Sequence, residues 1–128
     1  MIYGIGTDII AVERIEAALA RFGERFARRI LTATEWQEFT VCTHRARFLA
    51  KRFAAKESFS KAVGTGMRHP VSWQNISVVH NALGQPSFGL TAELAQNLAQ
   101  RSIHRHHLSI SDESKMVVAF SVLEQNQK

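Results

Sequence analysis

At 128 residues the chain has the length of one domain, expected to run over residues 1–128, and enough sequence to bury a sizeable core. An apolar share of 45% and a charged share of 21% exclude a disordered chain, and the longest apolar run, Met116 to Phe120, is far short of the roughly 20 residues that a membrane span needs. Sixteen Lys and Arg against eleven Asp and Glu leave a formal charge of +5, which calls for an acidic partner: nucleic acid, a phosphorylated small molecule, an acidic membrane face or an acidic protein. The single cysteine, Cys42, cannot form an internal disulfide, and the start of the chain lacks the pattern of a secretory signal, so the expected location is the cytoplasm.

The opening MIYGIGTDII reads as a strand, with Ile2, Ile5, Ile9 and Ile10 as its apolar residues and Gly4 and Gly6 leaving room for another backbone. Asp8 stands out within it, because a carboxylate is costly to bury unless a cation compensates it. Val12, Ile15, Leu19, Phe22 and Phe26 then recur at spacings of three and four, which predicts an amphipathic helix, interrupted at most at Gly23, with this stripe toward the core. If that helix continues through Gly23, Arg14, Arg21, Arg25 and Arg28 share one arc about 130° from the stripe.

Thr32 and Glu35 have the spacing of a capping box and open a short helix through Trp36 and Phe39. A longer helix is predicted from about Arg45 to Val63, stopped by the Gly64-Thr65-Gly66 turn. Ile76 to His80 reads as a strand, Asn81 to Pro86 as a turn, and the segment from Ser87 as its hairpin partner. Leu94 and Leu98 mark a further helix, and two final strands, HLSISD and KMVVAFSVLE, meet at a turn around Glu113 and Ser114. Strands and helices do not alternate regularly, so the predicted class is α+β, a mainly antiparallel sheet packed against a long central helix.

That central helix, RARFLAKRFAAKESFSKAVG, has no single apolar stripe. On a wheel of about 100° per residue, Arg47 and Lys51, Arg52 and Lys56, and Glu57 and Lys61 fall on three different sides, between two narrow apolar bands. Protein contact on two sides is the expectation. Glu57 and Lys61 stand at i and i+4, the spacing of an ordinary surface ion pair. Their surroundings of Phe, Ala and Ser and the GTG turn just beyond also fit a phosphate site, since glycines let backbone N–H groups approach an anion.

The segments GIGTDII, KRFAAKESFSKAVGTG and the HLSIS strand together resemble the holo-acyl-carrier-protein synthases, the short bacterial class of 4′-phosphopantetheinyl transferases. The resemblance spans nearly the whole chain. It implies transfer of the phosphopantetheine arm of coenzyme A to a serine of apo-acyl carrier protein, with release of 3′,5′-ADP, in support of fatty acid biosynthesis. It also implies Mg²⁺ held by Asp8 and Glu57, a Lys61 ammonium on the phosphates, and Gly64, Thr65 and Gly66 beside coenzyme A. Arg14, Arg21, Arg25 and Arg28 would dock the acidic carrier, and a homotrimer with coenzyme A between subunits is implied too, with neither nucleic acid nor membrane as partner. Two carboxylates from distant segments meeting at a diphosphate suit Mg²⁺, a hard cation, and Glu57 is the candidate to accept the serine proton, directly or through water.

One position departs from the family. Many members carry a Ser-His-Thr-type sequence at the end of the penultimate strand, where this chain has SISDESK and Asp112 stands at the histidine position. An acid cannot donate to a phosphate, so Lys115 or the basic loop before the strand is the candidate for the ribose phosphate. His104, His106 and His107 read as solvated loop histidines rather than a zinc site, and Cys42 with His44 lacks the geometry of a nucleophile pair. Trp36 and Trp73 read as core or interface aromatics. The rival reading is a small basic nucleic-acid-binding module, for which Asp8 and Glu57 would be dispensable. A third is a degenerate member that binds the carrier without transferring anything.

Overall fold

Alternating burial marks the first strand, β1 (Ile2–Ala11), which turns Gly6 and Ile10 inward and Ile5, Thr7 and Ile9 outward. The computed structural model describes residues 1–126; the last two residues of the expected 1–128 domain lie outside the described residues. Two helices follow, α1 (Val12–Phe22) and α2 (Glu24–Ile30), then α3 (Ala33–Thr40) and the long α4 (Arg45–Val63). A hairpin of β2 (Ile76–His80) and β3 (Pro86–Leu90), a helix α5 (Ala92–Ala99) and the strands β4 (Ile103–Asp112) and β5 (Met116–Gln125) complete the fold.

All pairings are antiparallel: β1, β5 and β4 form one sheet in that order, and β2 and β3 form the second. Helix α4 lies across the inner face of the three-stranded sheet, against Val117, Ala119 and Leu123, and reaches Ile76 and Val78 of the hairpin with its other side. Glycine sets how closely strand and helix approach. A Cβ built at Gly4 would lie 2.0 Å from the Ala62 carbonyl oxygen, and one at Gly6 would lie 2.1 Å from that of Ser58. Beneath them Ser58 Oγ donates to the Ala55 carbonyl, which leaves Ser121 as donor in the 2.6 Å bond between the two serine hydroxyls.

The absence of an apolar stripe on α4 is explained by burial nearly all the way round, with Ala50, Ala54, Ala55 and Ala62 at the tight contacts. The capping box at Thr32 and Glu35 forms as the spacing predicts. Three expectations are corrected. Gly23 adopts φ 67° and breaks the first helix, so Arg14 and Arg21 on α1 do not share one helical arc with Arg25 and Arg28 on α2. Phe22 sits in the last turn before that break and is exposed instead of joining the core stripe. The histidine cluster lies on β4, not in a loop: His106 packs edge-on against Phe59 and Phe88, and His107 pairs with Glu124.

Ile5, Ile9, Val118 and Phe120 are exposed together on the outer face of the three-stranded sheet. Among the described residues no helix is long and apolar enough to cross a membrane.

Candidate active site

The close approach of β1 to α4 brings Asp8 beside the last turns of the helix. Lys61 Nζ donates to Asp8 Oδ1 at 3.0 Å and to the Thr7 carbonyl at 2.9 Å. The i, i+4 pair of Glu57 and Lys61 does not form, because Lys61 turns to the strand. Asp8 Oδ2 is buried and has no hydrogen-bond partner among the described residues. Burial pushes the Glu57 carboxyl above the usual carboxylate range, the neighbouring Asp8 pushes it further, and Lys61 opposes both. Asp8, Glu57 and Lys61, distant in sequence, are thus one cluster.

Electrostatically this cluster sets two carboxylates against one ammonium. One acid holds a buried oxygen with nothing to accept, and the second acid is discouraged from ionising by burial and by the first. Two neighbouring carboxylates fit Mg²⁺, which takes one or two protein acids and fills its other positions with water and phosphate oxygens. Among the described residues no group of three or more His, Cys, Asp or Glu forms an all-protein cage. A cleft of about 350 Å³ lined by Ile5, Gly6, Thr7, Lys61 and Phe120 opens beside the cluster, onto the exposed apolar face of the sheet.

The GTG turn differs from expectation in one respect. Gly64 is the left-handed cap of α4, and the N–H groups of both Gly64 and Gly66 donate to the Ser60 carbonyl at 3.1 and 3.2 Å. Those amides cap the helix and are not free for a phosphate. No atom lies within 4 Å of a Cβ built at either glycine, so the turn offers open space, and the Thr65 hydroxyl donates to the Gly66 carbonyl.

A second charged cluster lies on the same helix and escaped the sequence reasoning. Lys56 is wholly buried and donates to Glu35 Oε1 at 2.6 Å and to the carbonyls of Ile30 and Trp73 at 2.6 and 3.0 Å. Arg52 lies 3.3 Å from Glu35 and 3.5 Å from Glu38. Burial lowers both cations' pKa values, and Glu35 opposes that in each case. The Glu35 carboxylate also accepts from the N–H groups of Thr32 and Val78, so it ties α3, α4 and β2 together. The signal available in the sequence was a capping-box glutamate in an apolar setting.

Toward the N-terminal end of α4, Asp112 holds two cations of the helix, Arg47 Nη1 at 3.1 Å and Lys51 Nζ at 3.4 Å. Arg47 also donates to the carbonyls of Glu113 and Ser114, clamping the turn between β4 and β5. The arginines of α1 and α2 are all exposed; Arg21 lies over Phe22, and Arg28 stacks 3.9 Å above the Trp36 ring. Trp73 stacks on Phe53.

The family model of the 4′-phosphopantetheinyl transferase superfamily matches residues 4–120. The chain belongs to that superfamily. It is 56% identical over 124 residues to a holo-[acyl-carrier-protein] synthase of Nitrosomonas europaea, an alignment covering 97% of this chain and 99% of the relative. The crystal structure of the Neisseria meningitidis holo-[acyl-carrier-protein] synthase superposes with a TM-score of 0.95 at 50% identity, covering 98% of this chain and all of that one. A Bacillus anthracis holo-(acyl-carrier-protein) synthase solved in complex with CoA (3′,5′-ADP) superposes with a TM-score of 0.80 at 39% identity, covering 98% and 99% of the two chains. The α+β fold of this superfamily is therefore the fold of this protein.

Proposed function

We propose that the protein transfers 4′-phosphopantetheine from coenzyme A to a serine of apo-acyl carrier protein, giving holo-acyl carrier protein and 3′,5′-ADP, in the cytoplasm and in support of fatty acid biosynthesis. The observation that carries this reading, beside the family, is the Asp8–Glu57–Lys61 cluster with its unsatisfied Asp8 oxygen. In the transfer, the serine Oγ forms a bond to the pantetheine-bearing phosphorus, the bridging phosphorus–oxygen bond breaks, and 3′,5′-ADP leaves. Asp8 and Glu57 would hold Mg²⁺, which supplies charge neutralisation on the phosphoryl group and its leaving group. Lys61 adds a positive charge at the phosphates. Glu57 is the residue we assign to take the serine proton, directly or through water.

Gly64, Thr65 and Gly66 give the diphosphate room to lie against the end of α4. Arg47 and Lys51, assembled by Asp112, rather than Lys115, are the cations we assign to the ribose-phosphate end. The exposed Ile5, Ile9, Val118 and Phe120 support self-association, and a second copy on that face would wall the cleft beside Lys61. The family resemblance supports a trimer as that assembly.

Incubation with apo-acyl carrier protein, coenzyme A and Mg²⁺ should raise the mass of the carrier by one phosphopantetheine arm. A carrier of unchanged mass would overturn the reading. The exposed Arg14, Arg21, Arg25 and Arg28 are proposed to dock the acidic carrier, acting on encounter more than on chemistry. The double reversal Arg14→Glu with Arg21→Glu should raise KM for the carrier about tenfold and leave turnover at saturating carrier nearly unchanged. An unchanged KM, or wild-type protein binding DNA as tightly as carrier at physiological salt, would favour a nucleic-acid partner instead.

A further inference from the structure

The ion pair at Asp8 has a consequence for how the site fills. Lys61 Nζ sits 3.0 Å from Asp8 Oδ1, and its second bond, to the Thr7 carbonyl, fixes it there. A dication bound by Asp8 and Glu57 would lie within a few ångströms of that ammonium, with the two cations sharing the single charge of the Asp8 carboxylate. Lys61 is half exposed, and such a pair is readily exchanged for another partner. The Lys61 ammonium has three donors, of which two are occupied, and the cleft it lines is open.

We propose that Lys61 is a resident competitor for the metal site: it neutralises Asp8 in the free protein and passes to the diphosphate when metal and coenzyme A enter together. The inference rests on the reading of Asp8 and Glu57 as metal-holding acids. Charge counting supports it. Two carboxylates and one ammonium leave a single net negative charge, a poor trap for a dication. A diphosphate supplies the negative charge that lets the dication and the ammonium share the cleft. The metal and the substrate therefore favour one another's binding, and by linkage the coupling is the same measured from either side. The device keeps Asp8 neutralised between turnovers and delays metal capture until there is a phosphate to act on.

Isothermal titration with Mg²⁺ alone, on the full-length wild type, Lys61→Met, Lys61→Gln and Asp8→Asn, tests this without reference to activity. Removing the lysine should tighten Mg²⁺ binding by about three- to tenfold, the scale of one lost ion-pair competitor. Saturating coenzyme A should then strengthen Mg²⁺ binding by a larger factor in wild type than in either lysine variant. Unchanged or weaker Mg²⁺ binding in both lysine variants, with Asp8→Asn abolishing it, would overturn the competitor role while leaving the metal site intact. Wild-type affinity in Asp8→Asn would instead remove the metal reading itself, and the proposal with it.

Discussion

Two lysines of α4 meet acids, and they meet them in opposite ways. Lys56 is wholly buried, bonded to Glu35 and two carbonyls, with Arg52 completing the neutralisation. Lys61 is half exposed, bonded to Asp8 and one carbonyl, while the second Asp8 oxygen stays unsatisfied and Glu57 is held short of easy ionisation. The first cluster is closed, and its hydrogen bonds join α3, α4 and β2. The second is open, beside the cleft that Lys61 lines. Similar residue types on one helix are thus sealed in the interior at one place and open at the other, and what separates them is burial, Lys56 being wholly buried and Lys61 half exposed, since each cluster keeps one buried atom without a hydrogen bond, Arg52 Nε in the first and Asp8 Oδ2 in the second.

Substitution of the two lysines should separate the clusters most sharply. Lys56→Met takes the ammonium away from the buried Glu35 carboxylate, which keeps the Thr32 N–H, and leaves two carbonyls without that donor, and should lower the unfolding free energy by about 3–5 kcal/mol. Lys61→Met breaks a half-exposed pair and should cost about 1 kcal/mol or less. Chemical denaturation of both variants checks the contrast, and equal losses would erase the distinction between a closed and an open cluster.

A smaller effect is expected where the open cluster is held in place. Gly6→Ala puts a methyl group 2.1 Å from the Ser58 carbonyl oxygen and 2.6 Å from the Ala62 nitrogen, so β1 must lift from α4. About 1–3 kcal/mol of stability should be lost, and Mg²⁺ binding should weaken with it because Asp8 moves with the strand. Melting curves together with Mg²⁺ titration would show this, and full stability with full binding would mean that the glycine does not set the spacing.

Much of the fold was legible in sequence because its signals are local. Thr32 and Glu35 announced a helix start, Gly64 a helix end, and the strands of the hairpin their own turn. The oddity of Asp8 was legible too, as was the lack of a stripe on α4. Long-range choices were not. Nothing in the spacing says that Lys61 prefers Asp8 to Glu57, or that the capping glutamate Glu35 also receives Lys56 and Arg52, because those pairings depend on how distant segments pack. Gly23 was legible as an interruption, but the new direction of α2 depends on its positive φ, and so the single arginine arc was lost. The amides of the GTG turn look available in sequence and are consumed by the cap of the helix that precedes them.

The claim that the open cluster is the site of transfer is tested most directly by Asp8→Asn, assayed by carrier mass with coenzyme A and Mg²⁺ while the same preparation is melted. The account predicts that transfer falls by about a hundredfold or more, while Tm stays within about 2 °C of wild type. Near-normal transfer at limiting Mg²⁺ in a well-folded Asp8→Asn protein would contradict it.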